Sequence, residues 1–289
     1  MGMTIKKLIL FIGVLGTSLS AVFVHLSAMP QFALVLYRTG FATLLLLPAF
    51  WKHHKELSAA NPKLLLLSML SGMFLALHFA AYFTSLRYTS VSAATVLVDT
   101  EVFFVAGFLW VFLHRGQPRR ALWGILLAFV GSIVIGLGDQ ANGTNPFFGN
   151  TMALLGAAAM SGYTLLGMVC RKTISTTVYT FFVYFSCALC ALLMTLASGL
   201  PLAGYDSQSV LAALALAVFS TILGHSIYSW ALRYFNPAYV STVKLAEPIF
   251  STTAFFLLFG QIPTLAAVVG GCLVLLGIGI FTLVKETNV

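Results

Sequence analysis

Five charged side chains lie inside segments that are otherwise apolar: Arg38, Asp99, Glu101, Lys244 and Glu247. At the centre of a membrane helix each would cost about 2.5–3.5 kcal/mol, so each must face the protein interior or pair with another charge. Groups of this kind can bind a charged solute or carry a proton. If all five are ionised, the two basic and three acidic groups give a net charge of −1, which favours a bound proton or a cationic substrate.

Helical spacing suggests several ways of pairing these charges. Lys244 and Glu247 are three residues apart, so they can pair with each other or line a cavity together. Asp99 and Glu101 would point about 200° apart on one continuous helix. We therefore expect only one of these acids to face a cavity directly and the other to pair with Arg38 or a backbone group. Arg38 is assigned a structural role, with recognition of a substrate anion as the alternative.

Histidines and tyrosines add polar groups at helical spacing. His78 shares a face with Tyr82, and His225 shares one with Tyr228. Together with Tyr163, the tyrosines could form an aromatic cage for an ammonium group. The predicted substrate-binding residues are Glu101, Glu247, Lys244, Tyr82, Tyr228, Tyr163, His78 and His225. The predicted proton-coupling residues are Glu101, Glu247 and Asp99.

Other chemistries are not indicated. The sequence has no Gly-x4-Gly-Lys-Ser/Thr loop for ATP, so any movement of a solute would be driven by a gradient or would be facilitative and run downhill. Cys187 and Cys190 have the spacing of a redox motif, but their apolar neighbours favour helix packing. We expect no metal, cofactor or catalytic residue. A membrane-embedded enzyme acting on lipid is a distant alternative.

The composition indicates a membrane protein. Of the 289 residues, 60% are hydrophobic and 8% are charged, whereas soluble domains are about half apolar and a quarter charged. This composition excludes a cytoplasmic enzyme, a disordered regulator, a disulfide-framed secreted module and a nucleic-acid binder.

The apolar segments predict an all-α integral membrane protein with ten transmembrane helices. A helix needs about 20 residues to cross about 30 Å of hydrocarbon, and ten such spans leave no room for a soluble domain. The predicted spans are residues 5–24, 30–50, 62–85, 91–113, 118–138, 147–169, 176–197, 208–232, 238–259 and 264–284.

The distribution of Lys and Arg predicts the orientation. With the N-terminus inside, twelve of the 15 basic residues fall on the cytoplasmic side and Arg87 alone falls outside. Because cytoplasmic loops collect Lys and Arg, we expect an inner (cytoplasmic) membrane protein with both termini in the cytoplasm. Asp139 and Asp206 would then lie outside.

The chain also resembles itself. A shift of 146 residues aligns spans 1–5 with spans 6–10 and places Glu101 on Glu247. Because five spans per half is an odd number, the second copy would enter the membrane upside down. Residues 1–146 and 147–289 are therefore predicted to form a 5+5 inverted repeat. Such repeats are typical of transporters whose binding site lies at the bilayer midplane.

Several motifs resemble the EamA family of the drug/metabolite transporter superfamily. They are Arg38 after Pro30 in span 2, the Leu-Arg-Tyr-Thr turn at 86–89, its Leu-Arg-Tyr echo at 232–234, and Glu247-Pro248. The resemblance covers essentially the whole chain.

The resemblance implies that spans 1, 3, 4, 6, 8 and 9 surround a central cavity while spans 5 and 10 pack at one end, where their glycines allow close approach. Family members include exporters of amino acids and other metabolites, sugar-phosphate exchangers and a choline importer. Pro248 is matched by Val102 in the first half, so the sequence supports a helix break in one half only.

These patterns together predict a secondary transporter that moves a small polar metabolite by alternating access. An amino acid or amine is the expected substrate, and export is the direction that the resemblance suggests. The alternative is an exchanger of organic anions, such as a sugar phosphate or carboxylate, that uses Arg38 and Lys244. The expected partners are the substrate, the lipid bilayer and a coupling proton, with a homodimer left open and no nucleic acid.

Overall fold

The computed structural model describes residues 2–89, 91–114, 118–137, 144–260 and 265–283, and these residues form helices and turns without a strand. In the described residues, eight helical segments are long and apolar enough to cross a membrane, and they fall on predicted spans 1–4 and 6–9. Helices also form where spans 5 and 10 were expected. The all-helical class is confirmed, whereas the ten-span count and the inverted order stay predictions.

Along the described ranges the chain forms fifteen α-helices and one π-helix. They are α1 (Met3–Ser18), α2 (Ser20–His25), α3 (Gln31–Trp51), α4 (His54–Ala59), α5 (Pro62–Tyr88), α6 (Val91–Val98), α7 (Glu101–Leu113), α8 (Arg119–Leu137), α9 (Pro146–Cys170), α10 (Thr176–Ala197), α11 (Ser207–Ala215), a π-helix (Leu216–His225), α12 (Ser226–Ala231), α13 (Pro237–Lys244), α14 (Glu247–Phe259) and α15 (Leu265–Leu283).

Asn-Pro pairs begin three of these helices. Asn61, Asn145 and Asn236 each accept a hydrogen bond from a backbone N–H of the first turn, and a proline follows each of them. An Asn side chain satisfies a free N–H at a helix start, and proline has no N–H to satisfy there. The sequence thus determines where α5, α9 and α13 begin.

Two of the membrane segments are interrupted at equivalent positions. α6 ends at Val98 and α7 begins at Glu101, while α13 ends at Lys244 and α14 begins at Glu247. The shift of 146 residues relates the two helix ends, Val98 and Lys244, and also the two helix starts, Glu101 and Glu247. The expectation that only the half containing Pro248 is broken is therefore wrong.

The geometry of the two breaks explains why proline is not required. Thr100 N bonds to Leu97 O and Ala246 N bonds to Val243 O, so the helix tightens to a three-residue repeat at each break. The Thr100 hydroxyl also donates to Leu97 O at 2.6 Å and competes with the helical backbone pattern. Pro248 lies in the first turn of α14, where proline is tolerated.

Glycines let α8 and α15 pack closely against each other. A Cβ added at Gly131 would lie 2.5 Å from Gly270 O, and one added at Gly124 would lie 2.8 Å from Gly277 O. No real side chain fits at such distances, so these positions require glycine. The close contact between the helices at predicted spans 5 and 10 agrees with the packing role expected for these glycines.

Candidate functional site

A cavity lies between helices from the two halves of the chain, before and after residue 146. Among the described residues it is lined by Thr17, Ser20, His78, Phe79, Tyr82, Thr95, Val98, Asp99, Glu101, Met160, His225, Lys244 and Glu247. These residues come from predicted spans 1, 3, 4, 6, 8 and 9, which are the six spans expected to surround a central cavity. The centres of water-sized molecules can occupy about 40 Å³ of it, which is room for a few waters.

An ion pair joins the two interrupted segments across the cavity wall. Lys244 Nζ lies 2.6 Å from Glu101 Oε2, and the two side chains are 5% and 4% exposed. The second carboxylate oxygen of Glu101 accepts hydrogen bonds from Thr164 Oγ1 at 2.6 Å and from Ser241 Oγ at 2.9 Å. Both oxygens of Glu101 are therefore satisfied. Lys244 pairs with Glu101 rather than with Glu247, its neighbour on the sequence.

Glu247 is held by a neutral group instead. Its Oε1 accepts a hydrogen bond from the Tyr228 hydroxyl at 2.8 Å, and that hydroxyl lies 2.7 Å from Thr17 Oγ1. Among the described residues, Lys244 and Glu101 form the ion pair that the structure contains. Glu247 therefore has no lysine or arginine at ion-pair distance among those residues.

Asp99 lies within the first break and lines the same cavity. Its Oδ2 is buried and has no hydrogen-bond partner among the described residues. The expectation that Asp99 and Glu101 cannot both face one cavity is wrong. It assumed a continuous helix with about 100° between successive residues, but the break between Val98 and Glu101 changes the direction of the two side chains.

Arg38 forms none of the expected pairs with an acid. Its Nε donates to Thr221 Oγ1 at 2.7 Å, and its Nη1 donates to Ser20 Oγ at 3.3 Å. The guanidinium carbon lies 3.9 Å from the centre of the Phe79 ring. No acidic side chain of the described residues lies within ion-pair distance of Arg38, so its pairing with a carboxylate is not observed.

The histidines lie at the cavity wall. His78 Nδ1 lies 3.0 Å from Gly156 O, whereas His225 Nδ1 is buried without a partner among the described residues. The two rings are 6.2 Å apart. Both histidines are therefore placed where a substrate in the cavity can contact them.

The three tyrosines do not form a cage around the cavity. Tyr82 lines it and lies 3.3 Å from Thr95 Oγ1. Tyr163 and Tyr228 are not among the lining residues: the Tyr163 hydroxyl lies 2.7 Å from Ser229 Oγ, and the Tyr228 hydroxyl is bonded to Glu247. The Tyr228 ring does have an ammonium group over it, the Lys244 Nζ at 5.0 Å from the ring centre.

One feature of the site had no signal in the sequence. Residues Leu216–His225 form a π-helix in which Thr221 Oγ1 donates to Leu216 O, five residues earlier. π-helical turns often occur at functional sites, and this one brings Thr221 to Arg38 and His225 to the cavity. Within the described ranges no three His, Cys, Asp or Glu side chains are grouped to hold a metal ion.

Comparisons with known proteins find related transporters and a related fold. The chain is 24% identical over 268 residues to an uncharacterized transporter of Archaeoglobus fulgidus, covering 90% of each chain. It is also 24% identical to the uncharacterized transporter YwfM of Bacillus subtilis, covering 73% of this chain and 71% of that one. One crystal structure matches with a TM-score of 0.79 at 18% identity, over 99% of this chain and all of the other, and shows the same fold. The model of the EamA-like transporter family matches residues 5–137 and 147–283, and the chain belongs to this family of integral membrane transporters.

Proposed function

We propose that the protein is a gradient-driven transporter of a small polar metabolite with a cationic nitrogen, an amino acid or an amine. The observation that carries the proposal is the charge of the cavity. Three acids and one lysine line it, and the lysine, Lys244, forms its ion pair with Glu101. Asp99 and Glu247 have no basic group at ion-pair distance among the described residues.

Two buried carboxylates in one small cavity favour positive charge. In a low-dielectric site two nearby negative charges oppose each other's ionisation, so the cavity takes up a proton or binds a cationic group. An ammonium group that enters would displace the proton, and a proton that returns would favour release of the substrate. This competition couples substrate movement to a proton gradient.

Alternating access is supported by the relation between the two halves. The family model matches twice, once on each side of position 146, and the helix breaks occur at positions related by the internal shift. We propose that residues 1–146 and 147–289 are the two inverted repeats and that they rock around the shared cavity. The Lys244–Glu101 pair joins segments from opposite repeats and would be rearranged by this motion.

The excess of Lys and Arg on one side supports an inner-membrane orientation with both termini in the cytoplasm. A cysteine introduced at Asp206 should then react with an impermeant maleimide added to intact cells, and one introduced at Lys172 should not. The opposite pattern would reverse the orientation.

Export is proposed by analogy with the exporters of the family, and it predicts lower intracellular amino acid in expressing cells that are fed a dipeptide.

The experiment for the function is uptake into proteoliposomes. We expect labelled amines or amino acids to move faster when a pH gradient is imposed, by about tenfold or more, and the gradient to dissipate as they move. Organic anions should not be exchanged. The proposal would be overturned in favour of the exchanger if the protein exchanged organic anions without a pH gradient and moved neither amines nor amino acids.

The geometry disfavours that exchanger. It would use Arg38 and Lys244 together, but Lys244 is engaged by Glu101 at 2.6 Å. A phosphate would also have to approach Asp99 and Glu247 in the same cavity, and like charges repel strongly at low dielectric.

A further inference from the structure

Two arginines of this protein are almost completely buried, and they differ in their partners. Arg38 and Arg171 are each 1% exposed. Arg171 donates from Nε to Ser229 O at 3.0 Å, from Nη1 to Ile174 O and from Nη2 to Thr176 Oγ1 at 2.6 Å. Each nitrogen of its guanidinium group is therefore satisfied by the protein, as expected of an arginine that holds helices together.

Arg38 lacks this complement of partners. Its Nε and Nη1 donate to hydroxyl groups, and its Nη2 is buried without a hydrogen-bond partner among the described residues. The guanidinium group stays protonated in proteins, so a full positive charge is buried here against neutral groups. A buried charge without an acidic partner at ion-pair distance is unfavourable, which makes the site ready to accept an anion.

The position of Arg38 directs that anion to the cavity. Ser20, which accepts from Nη1, and Phe79, on which the guanidinium group stacks, both line the cavity. The Nη1–Ser20 distance of 3.3 Å is long for a charged donor. A carboxylate that displaced this contact would meet Nη1 and Nη2 as two parallel donors, the bidentate geometry that Arg forms with carboxylates.

The cavity beside Arg38 is lined by an unpartnered negative group. Asp99 Oδ2 is buried without a partner among the described residues, and Glu247 accepts a hydrogen bond from the neutral Tyr228 hydroxyl. An unsatisfied acidic oxygen therefore lines the cavity, and the unsatisfied Arg38 nitrogen belongs to a side chain that contacts Ser20 and Phe79 of the cavity wall. A molecule that carries a carboxylate and an ammonium group satisfies both, whereas an amine satisfies the acids and leaves Arg38 as it was.

We infer that Arg38 binds the carboxylate of a zwitterionic substrate, so that the transporter selects an α-amino acid over the amine that lacks the carboxylate. This inference rests on the proposed function and deepens it. A buried polar group left unpaired by a substrate analogue gives strong discrimination. We therefore expect at least about tenfold faster transport of the amino acid than of its amine.

The test compares matched compounds. Proteoliposomes would be assayed with alanine, leucine and phenylalanine, and with the amine and the carboxylic acid that each becomes on loss of one charged group. The wild type should prefer the amino acid over both. Arg38→Gln should lower the ratio of amino-acid to amine transport to about one while the amine still moves, which shows that the variant is folded. Arg120→Gln, at an exposed arginine of α8, is the control and should keep the wild-type ratio.

Arg38→Lys provides a second variant if Arg38→Gln does not fold. It keeps the charge but loses the fork of donors, so the ratio should fall to between the other two values. A wild type that moves amines as fast as amino acids, or an unchanged ratio in the Arg38 variants, would overturn the inference while the proposed function stands. No movement of any amine or amino acid by the wild type would overturn both.

Discussion

Replacing Glu247 with Gln should reduce proton-coupled transport at least tenfold while leaving the amount of folded protein unchanged. Glu247 lines the cavity, and its partner is the Tyr228 hydroxyl, a neutral group that can also donate to an amide oxygen. Glutamine has nearly the same shape and keeps this hydrogen bond, but it carries no charge and binds no proton. Uptake into proteoliposomes with and without a pH gradient measures the effect.

Asp206→Asn is the matched control for this variant. Asp206 is fully exposed at the start of α11, and the hydrogen bonds from Ser209 lower its pKa, so it is ionised at neutral pH and the substitution also removes one negative charge. Asparagine is an equally good helix cap, so transport should be unchanged. If Glu247→Gln and Asp99→Asn both transport at the wild-type rate with the same pH dependence, the two acids are not part of the transport site.

Glu101→Gln and Lys244→Met should each destabilise the protein by about 3–5 kcal/mol, because each leaves the partner charge buried and unpaired. The double variant should recover most of this loss, since it removes both charges together. Thermal unfolding of the purified protein in detergent, analysed as a double-mutant cycle, measures the coupling between the two residues.

Additive losses in that cycle would contradict the ion pair as a stabilising contact between the two interrupted segments. Lys172→Met is a suitable comparison, since Lys172 is an exposed lysine at the turn after α9, and surface substitutions usually change stability by less than about 0.5 kcal/mol. Its effect shows what the loss of a lysine costs when no buried partner is left behind.

The sequence was informative about which residues matter and less so about how they pair. Buried charges are rare in apolar segments, so Arg38, Asp99, Glu101, Lys244 and Glu247 could be identified directly. The internal shift of 146 residues aligned Glu101 with Glu247 in the sequence. In the structure Glu101 begins α7 and Glu247 begins α14.

Pairing could not be predicted because helical spacing reports contacts within one helix. Lys244 and Glu247 satisfy the i, i+3 rule, but Lys244 bonds to Glu101, which is 143 residues away in the sequence. The rule also assumes a continuous helix, and the first segment breaks between Val98 and Glu101 without a proline to mark the place. The directions of Asp99 and Glu101 depend on that break.

The surroundings of Arg38 also depend on contacts between residues far apart in the sequence. Thr221 lies 183 residues away and reaches Arg38 from a π-helix, whose backbone pattern has no recognised sequence signature here. The interior position of Arg38 was predictable from the sequence. That Arg38 lacks an acidic partner could be seen only once the packing of α3 against the π-helix was known.

The central claim is that the cavity opens in turn to each side of the membrane, and accessibility of Thr95 tests it most directly. Thr95 lines the cavity and is close to cysteine in size. Thr95→Cys would be placed in a background in which the four native cysteines, Cys170, Cys187, Cys190 and Cys272, are replaced by alanine. An impermeant thiol reagent would then be added to intact cells and, separately, to inside-out vesicles.

We predict that the reagent modifies Thr95→Cys and blocks transport from both sides, and that a transported amino acid slows the reaction from both sides. A cysteine at Leu257, a residue of predicted span 9 that is 73% exposed on α14, would face lipid and should not react with the reagent from either side. Reaction of Thr95→Cys from one side alone, whatever the substrate or the gradient, would contradict alternating access through this cavity.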